Sequence, residues 1–482
     1  MRRLALLCAV AVLLGGCATY RPLALNPRAQ ASRSVADIKV APSDLQLLPQ
    51  RHHRFDPSRG LDMTDVAILA VANNPQLKLA RAGRSVASAQ AFAAGLLPDP
   101  VLDLAHGVPA AGPSDTSSFD LGLAYDVAAV LAHPLVQRAA ADSVREVDLD
   151  LLWMAWQVAG KAQQLFIHDV YQAKTLAVLR QETQVLAREQ ARLAALGRGG
   201  DVALVTVAAS GDALAAVQDR LHAAERQQLK TRQALDALLG LSPEASLRLV
   251  GSAKLPEPSA AAVAEALAAL PHRRPDLLAL QAGYHSADAR YRAAILAQFP
   301  ALQVGFSKGR DTDGIYSRSF QISLTLPIFN RNRGAVAMTK ATRKRLQVEY
   351  AVRLAQARSQ VQRIRQRAAL LARQRVRLQR AATAASKVLD ALQDDTLPGD
   401  VANGVRARLR VDRLKRRLAL LATDESLFEQ RAALQTLLGA TRRPSTTACA
   451  TCRNPPCGAR PAGAGRCVRA LPQGDRPNRS TR

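Results

Sequence analysis

Apolar residues recur every seven positions along one long stretch of the chain. The repeated positions are Val144, Leu151, Val158, Leu165, Gln172, Leu179, Leu186 and Leu193. A strict seven-residue period predicts a helix of about 50 residues, roughly 75 Å long, that packs in a left-handed coiled coil. A glycine-rich turn from Gly197 to Asp201 ends this stretch, and a second helix returns with the same period from Val207 to Leu235. The pattern predicts a long helical hairpin.

A period of two residues precedes each long helix. It is carried by Phe119, Leu121, Leu123 and Tyr125 in one place and by Phe320, Ile322, Leu324 and Leu326 in another, each alternating with small or polar residues. Shorter partner segments lie at 102–104 and 302–306. Such alternation predicts two β-hairpins, each with one apolar and one polar face.

The chain repeats itself at a spacing of about 200 residues. Pro75 matches Pro275, Gly200-Asp201 matches Gly399-Asp400, and the segment ending at Gly240 matches the one ending at Gly439. We therefore divide the body into repeats at 61–245 and 261–440, joined by a linker at 246–260. The predicted helices outside the first long hairpin are 64–95, 263–297, 334–393 and 402–438, and the first and second of these break at Pro75 and Pro275.

The amino terminus is typical of a targeting segment. Two arginines precede an apolar run of eleven residues, too short to span a bilayer, and the run ends in Leu14-Gly15-Gly16-Cys17. This ending resembles a bacterial lipobox. It predicts a signal peptide at 1–16, a diacylated Cys17, and a lipidated extended region at 17–60.

Composition changes this picture little. The net charge is +27. Nine Arg and one acidic residue, Asp475, lie in 441–482, so +8 of this charge belongs to a tail rich in Arg, Pro and Cys that shares no period with the body. We expect this tail to be disordered and aberrant, as a frameshift would make it. Basic residues elsewhere lack interleaved aromatic residues, so nucleic acid is not expected as a partner. The region from Ala18 to Ala448 contains no cysteine, which excludes disulfides and cysteine metal sites there.

Four strands per chain are too few to close a membrane barrel, because an open edge leaves backbone groups unpaired in lipid. Three copies would supply twelve. The expected fold is therefore mainly α with a small β portion, a twofold repeat of coiled-coil helices and hairpins. Three chains would form a 12-stranded β-barrel that continues as an α-helical barrel.

The order of helix, hairpin, long helix, turn and return helix, given twice, resembles the TolC family of outer-membrane efflux proteins. The most specific segment runs from Leu326 to Gly334. It resembles the strand-to-helix junction of the cobalt–zinc–cadmium branch, and its marker residues here are Pro327, Phe329, Asn330 and Gly334. The lipobox, Arg274-Pro275-Asp276-Leu277 and the segment 95–100 fit the same family.

The resemblance implies a passive homotrimeric channel in the outer membrane. Its partners would be a periplasmic adaptor and an inner-membrane RND pump, and it would have no catalytic residues, no metal site and no cofactor beyond the lipid on Cys17. Heavy-metal cations are the expected cargo; drugs, organic solvents or type I secretion substrates are the alternative. A periplasmic coiled-coil lipoprotein without a pore is the alternative of another class, against which the hairpins argue.

The helix tips are where the resemblance places the gate. Asp201 and Asp400 occupy equivalent positions in the two repeats, and Asp394 and Asp395 lie beside the second. Copies from three chains would ring a narrow opening with carboxylates that attract cations. A simpler role is also open, since an Asp directly before a helix caps its free amides.

Overall fold

The structure is a computed structural model that describes residues 20–27, 31–42, 44, 55–110, 115–253, 255–391 and 400–439. The signal peptide at 1–16, Cys17, Asp394, Asp395 and the tail at 441–482 lie outside the described residues, as does the side chain of Asp400. The predictions made for them stay predictions.

The described chain is mainly helical with one small antiparallel sheet, as expected. The eight α-helices are α1 Met63–Asn73, α2 Pro75–Gly95, α3 Val127–Gly199, α4 Leu204–Leu239, α5 Ala260–Arg273, α6 Pro275–Leu296, α7 Arg333–Ala391 and α8 Asp400–Leu438. The strands are β1 Val101–Gly107, β2 Ser118–Asp126, β3 Ala301–Arg310 and β4 Tyr316–Thr325. Pro75 and Pro275 each begin a helix, so both predicted breaks are confirmed.

The sheet has the strand order β1-β2-β3-β4, with every pair antiparallel. The two hairpins are therefore neighbours, joined where β2 pairs with β3 from Phe119 opposite Arg310 to Asp126 opposite Gln303. Strands β1 and β4 form the two edges. No further strand pairs with either edge within the described residues.

The long helices pack side by side in a single order. The helices nearest the sheet pack in the order α2, α3, α6, α7. Farther from the sheet the order is α4, α3, α8, α7. Helices α3 and α7 pass through both levels. Helix α7 is at one edge of the layer, and α2 and α4 are at the other.

The first long helix is longer than the seven-residue period indicated. It begins at Val127, directly after β2, and its 73 residues make a rod of about 110 Å. The prediction of about 50 residues was wrong because the part before Val144 packs near the sheet against α2 and α6 rather than in a two-helix seam. Pro134 is tolerated inside this extra segment.

The main core lies at mid-height on one side of the helical layer. Helix α1, the segment containing Val35 and Ile38, and the linker residue Leu255 pack there against α3, α4 and α8. A smaller core joins α5 and α6 to α7 and α8 through Val263, Leu277 and Val361. None of the described helices combines the length and the apolar character that crossing a membrane requires.

Candidate channel wall, tips and junction

The two faces of the sheet differ sharply in chemistry. One row across the four strands reads Leu102, Leu123, Phe306 and Phe320, and the next row, on the opposite face, reads Asp103, Gly122, Ser307 and Ser319. Successive residues of a strand point to opposite faces, so the alternation separates an apolar wall from a polar one. This is the pattern of a membrane barrel with a wet interior.

The edges of the helical layer also expose apolar side chains. On α2 these are Leu79, Val86 and Phe92, and on α7 they are Met338 and Val348. Both helices are at the edges of one copy, just as β1 and β4 are at the edges of the sheet. The edges of sheet and helices thus coincide on both sides of the chain, since α2 leads into β1 and β4 leads into α7.

The first tip is a tight turn between α3 and α4. Gly200 has φ 86°, a left-handed conformation that a glycine adopts without strain, and the Asp201 amide donates to the Leu196 carbonyl at 3.0 Å. Asp201 is exposed. Helix α4 begins three residues later, its N-cap residue is Ala203, and no side chain caps it. The capping role considered for Asp201 was therefore wrong, because the turn places extended residues between the carboxylate and the helix.

The second tip is described only from Asp400 onward. Its backbone begins α8, while Asp394 and Asp395 lie outside the described residues. A gate formed by Asp201, Asp400, Asp394 and Asp395 stays a prediction.

The junction between β4 and α7 is a seven-residue loop at the lower end of the sheet. Phe329 is 92% exposed, and Ile328 beside it is also exposed. Arg331 and Asn332 have φ 45° and 50°, which side-chain-bearing residues seldom adopt. The side-chain amide of Asn332 donates from Nδ2 to the Ala294 carbonyl of α6 at 2.9 Å, which holds this turn against the neighbouring helix.

Asn332 was not among the residues singled out from the sequence, although Pro327, Phe329, Asn330 and Gly334 around it were. The available signal was Asn before a helix, since Asn tolerates left-handed backbone better than most residues. Gly334 lies in the first turn of α7, with open space around it.

A buried ion pair holds the start of α6. Arg274 donates to Asp276 through Nε at 2.7 Å and Nη2 at 3.0 Å, and both side chains are 4% exposed. The guanidinium lies 4.5 Å from the centre of the Trp153 ring of α3. The Arg-Pro-Asp motif is thus structural here, and it fixes where the short helix meets the long one.

Polar groups also join α3 to its neighbours at mid-height. His168 Nδ1 of α3 lies 2.6 Å from Glu425 Oε1 of α8, and this hydrogen bond raises the pKa of the imidazole against the opposing effect of burial. Burial raises the pKa of Asp236 of α4 to about 6, only partly offset by Arg232. Burial likewise raises the pKa of Glu146 and of Asp150 in the upper part of α3.

No group of His, Cys, Asp and Glu within the described residues has the arrangement of a metal site. Two carboxylates of the helical layer pair with arginines of α7. Asp288 pairs with Arg343, and Asp424 pairs with Arg375.

Solved structures with this architecture are outer-membrane channels. VceC of Vibrio cholerae superposes with a TM-score of 0.63 at 17% identity, covering 78% of this chain and 96% of VceC. The CmeC channel of Campylobacter jejuni gives 0.65 at 17%, covering 80% and 86%. The chain has the fold of an outer-membrane channel. CusC, in which conformational changes accompany folding and transmembrane channel formation, gives 0.62 at 17%, covering 81% and 97%. No protein-family model and no curated protein matches the sequence.

At this level of identity the likeness concerns the fold alone. The structures that share it are channels and not enzymes. CusC and VceC fit about equally well, so the fold does not single out a heavy-metal branch.

Proposed function

We propose that this chain is one protomer of a homotrimeric outer-membrane channel that carries solutes passively out of the periplasm. The observation that carries the proposal is the four-stranded sheet with one apolar and one polar face, whose two free edges coincide with the edges of the helical layer. Three copies joined edge to edge give a closed wall without unpaired strands, which a membrane requires.

The experiment is reconstitution of the purified protein in planar lipid bilayers, with cross-linking to count subunits. A cysteine pair placed at the β1 and β4 edges, for example Ala105→Cys with Gln321→Cys, should yield trimers under oxidation. A control cysteine pair in the middle of the sheet, Gly122→Cys with Gly305→Cys, should yield no cross-link between chains. Monomers without conductance would support the alternative of a coiled-coil lipoprotein without a pore.

Attachment to the membrane is proposed through a lipid on Cys17. The small residues before this cysteine support it, and mass spectrometry of the mature amino terminus tests it. The variant Cys17→Ala should lose the acyl mass and label from palmitate, whereas Cys8→Ala should keep both.

The channel would operate with a periplasmic adaptor and an inner-membrane RND pump, as the sequence resemblance implies. The helical layer supports this by its length, since a rod of about 110 Å reaches far from the sheet. Co-purification with candidate adaptors tests the point. An adaptor should be retained by the intact chain and lost when residues 197–203, which form the first tip, are replaced.

For cargo we propose heavy-metal cations on the basis of the junction alone, with drugs, organic solvents or secreted proteins as alternatives. The side-chain amide of Asn332 donates to α6, and the Arg331 carbonyl accepts from Gln298 just beyond it, so these contacts hold the junction against the neighbouring helix. Growth of a deletion strain on metal salts and on drugs, with and without the gene restored, separates these cargo classes.

A further inference from the structure

A basic groove crosses three helices on one side of the layer. It has a volume of about 490 Å³ and is bordered by Lys161 of α3 and by Arg363 and Arg367 of α7. Side-chain amides of Gln157, Gln164 and Gln360 also border it. Its floor is α8, which approaches so closely that a Cβ on Gly160 would lie 2.3 Å from Thr436 Oγ1.

Within the described residues the three cations of this groove form no ion pair, and no carboxylate lines the groove. Three other arginines of α7 do have a counter-charge. Arg343, Arg353 and Arg375 each lie beside an aspartate. Like charges brought together without a counter-charge repel one another, and an anion placed among them relieves that repulsion.

The groove lies on the side of α3 that faces away from the main core. Ala155, Ala159, Ala162 and Phe166 of α3 belong to that core. At about 100° per residue, Gln157 and Gln164 fall nearly half a turn round the helix from these four residues. Helix α1 and the amino-terminal segment therefore cover one side of the layer, and the groove opens on the other.

In a closed tube the covered side must be the outside, because α1, the amino-terminal segment and the linker would fill the lumen. The groove then faces the lumen. This step rests on the proposed trimeric channel. Three copies would place nine cations around the lumen at one height. Helix α7, which supplies six of them, has fifteen Lys and Arg against two acidic residues as a whole.

We infer that the groove of Lys161, Arg363 and Arg367 is a binding site for the anionic groups of solutes that pass through the lumen. Guanidinium and amide N–H groups are suited to carboxylate, sulfate and phosphate oxygens, since they donate paired hydrogen bonds to them. These three side chains repel a bare divalent cation. The groove therefore favours anionic cargo over the heavy-metal cations proposed from the junction, and the selectivity measurement decides between the two.

The test is ion selectivity of the full chain reconstituted in planar bilayers under a KCl gradient. The wild type should prefer chloride to potassium, and inorganic triphosphate added to the helical side should block the current. The variant Lys161→Gln/Arg363→Gln/Arg367→Gln should lose about half or more of the chloride preference and most of the block. Arg365→Gln is the matched control, because Arg365 is exposed on the same helix but does not line the groove.

A charge-preserving variant, Arg363→Lys/Arg367→Lys, should keep the chloride preference but weaken the triphosphate block, since lysine lacks the paired donors. Pores without anion preference, or a preference that the glutamine variant retains, would overturn this inference and leave the channel intact. Absence of any pore would overturn the proposed channel, and the lumen placement with it.

Discussion

The two long helical pairs, α3 with α4 and α7 with α8, can be compared position by position because their ends recur about 199 residues apart. Their lengths are similar, 73 and 36 residues against 59 and 39. Their charges are not. The first pair has twelve basic and eleven acidic residues, and the second has 23 and seven.

The buried surfaces differ in the same direction. Sixteen residues of α3 are buried, against four of α7. Helix α3 lies in the middle of the layer with neighbours on both sides, whereas α7 is at the edge of one copy. The first pair of helices thus contributes more buried residues than the second.

The largest expected difference concerns the start of the short helices, where Arg274 and Asn74 occupy equivalent positions. Asp276→Asn leaves Arg274 buried without its counter-charge and should lower the free energy of unfolding by about 3–5 kcal/mol. In the first half Asn74 caps α2 through the Leu77 amide at 3.0 Å, so Asn74→Ala should cost only about 1–2 kcal/mol. Urea midpoints of the detergent-solubilised protein measure both. Equal losses would show that the ion pair adds nothing to the second half.

A second pair of equivalent residues tests the two cores. Leu235 is fully buried in the larger core and Leu434 is buried in the smaller one. Each substitution to Ala should lower the free energy of unfolding by about 2–5 kcal/mol. The loss should be near the top of this range for Leu235→Ala and near the bottom for Leu434→Ala, because a small core collapses more easily round a cavity. Thermal unfolding of the two variants side by side gives the order. A greater loss for Leu434 would reverse the comparison.

The contact between His168 and Glu425 joins the two halves and should make stability depend on pH. The raised pKa of His168 means that its protonated form stabilises the fold fully below its unfolded pKa of about 6.5, and that this stabilisation is lost as pH rises through the higher folded value. His168→Gln should flatten the fall in melting temperature above neutral pH.

The raised pKa of Asp236 also makes stability fall as pH rises, but in a lower pH range. Its pKa is raised from 3.8 to about 6, so stability is lost as pH rises between these values. Asp236→Asn should flatten that window and leave the upper one unchanged. Melting curves from pH 4 to 8, an interval that spans both windows, separate the two groups. A profile for His168→Gln parallel to the wild type above neutral pH would contradict the assignment of that window to His168.

The smallest expected effect on stability is at the tips. Asp201 is exposed and caps no helix, so Asp201→Ala should change the free energy of unfolding by no more than about 0.5 kcal/mol. If these residues form the gate, channels of Asp201→Ala and of Asp400→Ala should nevertheless differ from the wild type in single-channel conductance and in cation preference. Unchanged opening and unchanged ion selectivity in both variants would contradict the gate prediction.

Much of this fold could be predicted from the sequence because long periodic segments are the strongest local signal. The breaks at Pro75 and Pro275, the turn at Gly200 and the alternating strands β2 and β4 follow from residue chemistry alone. The extra length of α3 could not, since it depends on packing against α2 and α6. The basic groove was missed for a related reason: Lys161 and Arg363 are 202 residues apart in sequence and come together only when α3 and α7 cross α8.

The free edges of the sheet, β1 with seven residues and β4 with ten, also determine how such a protein can reach a membrane. In hydrocarbon each unpaired backbone group costs several kcal/mol, so a single copy gains nothing by inserting its hairpins alone. For the proposed trimer, insertion and subunit association would become one event, whose rate would depend steeply on the local concentration of chains. A lipid tether that holds copies on one surface raises that concentration, so it would hasten biogenesis without any contact to the pore.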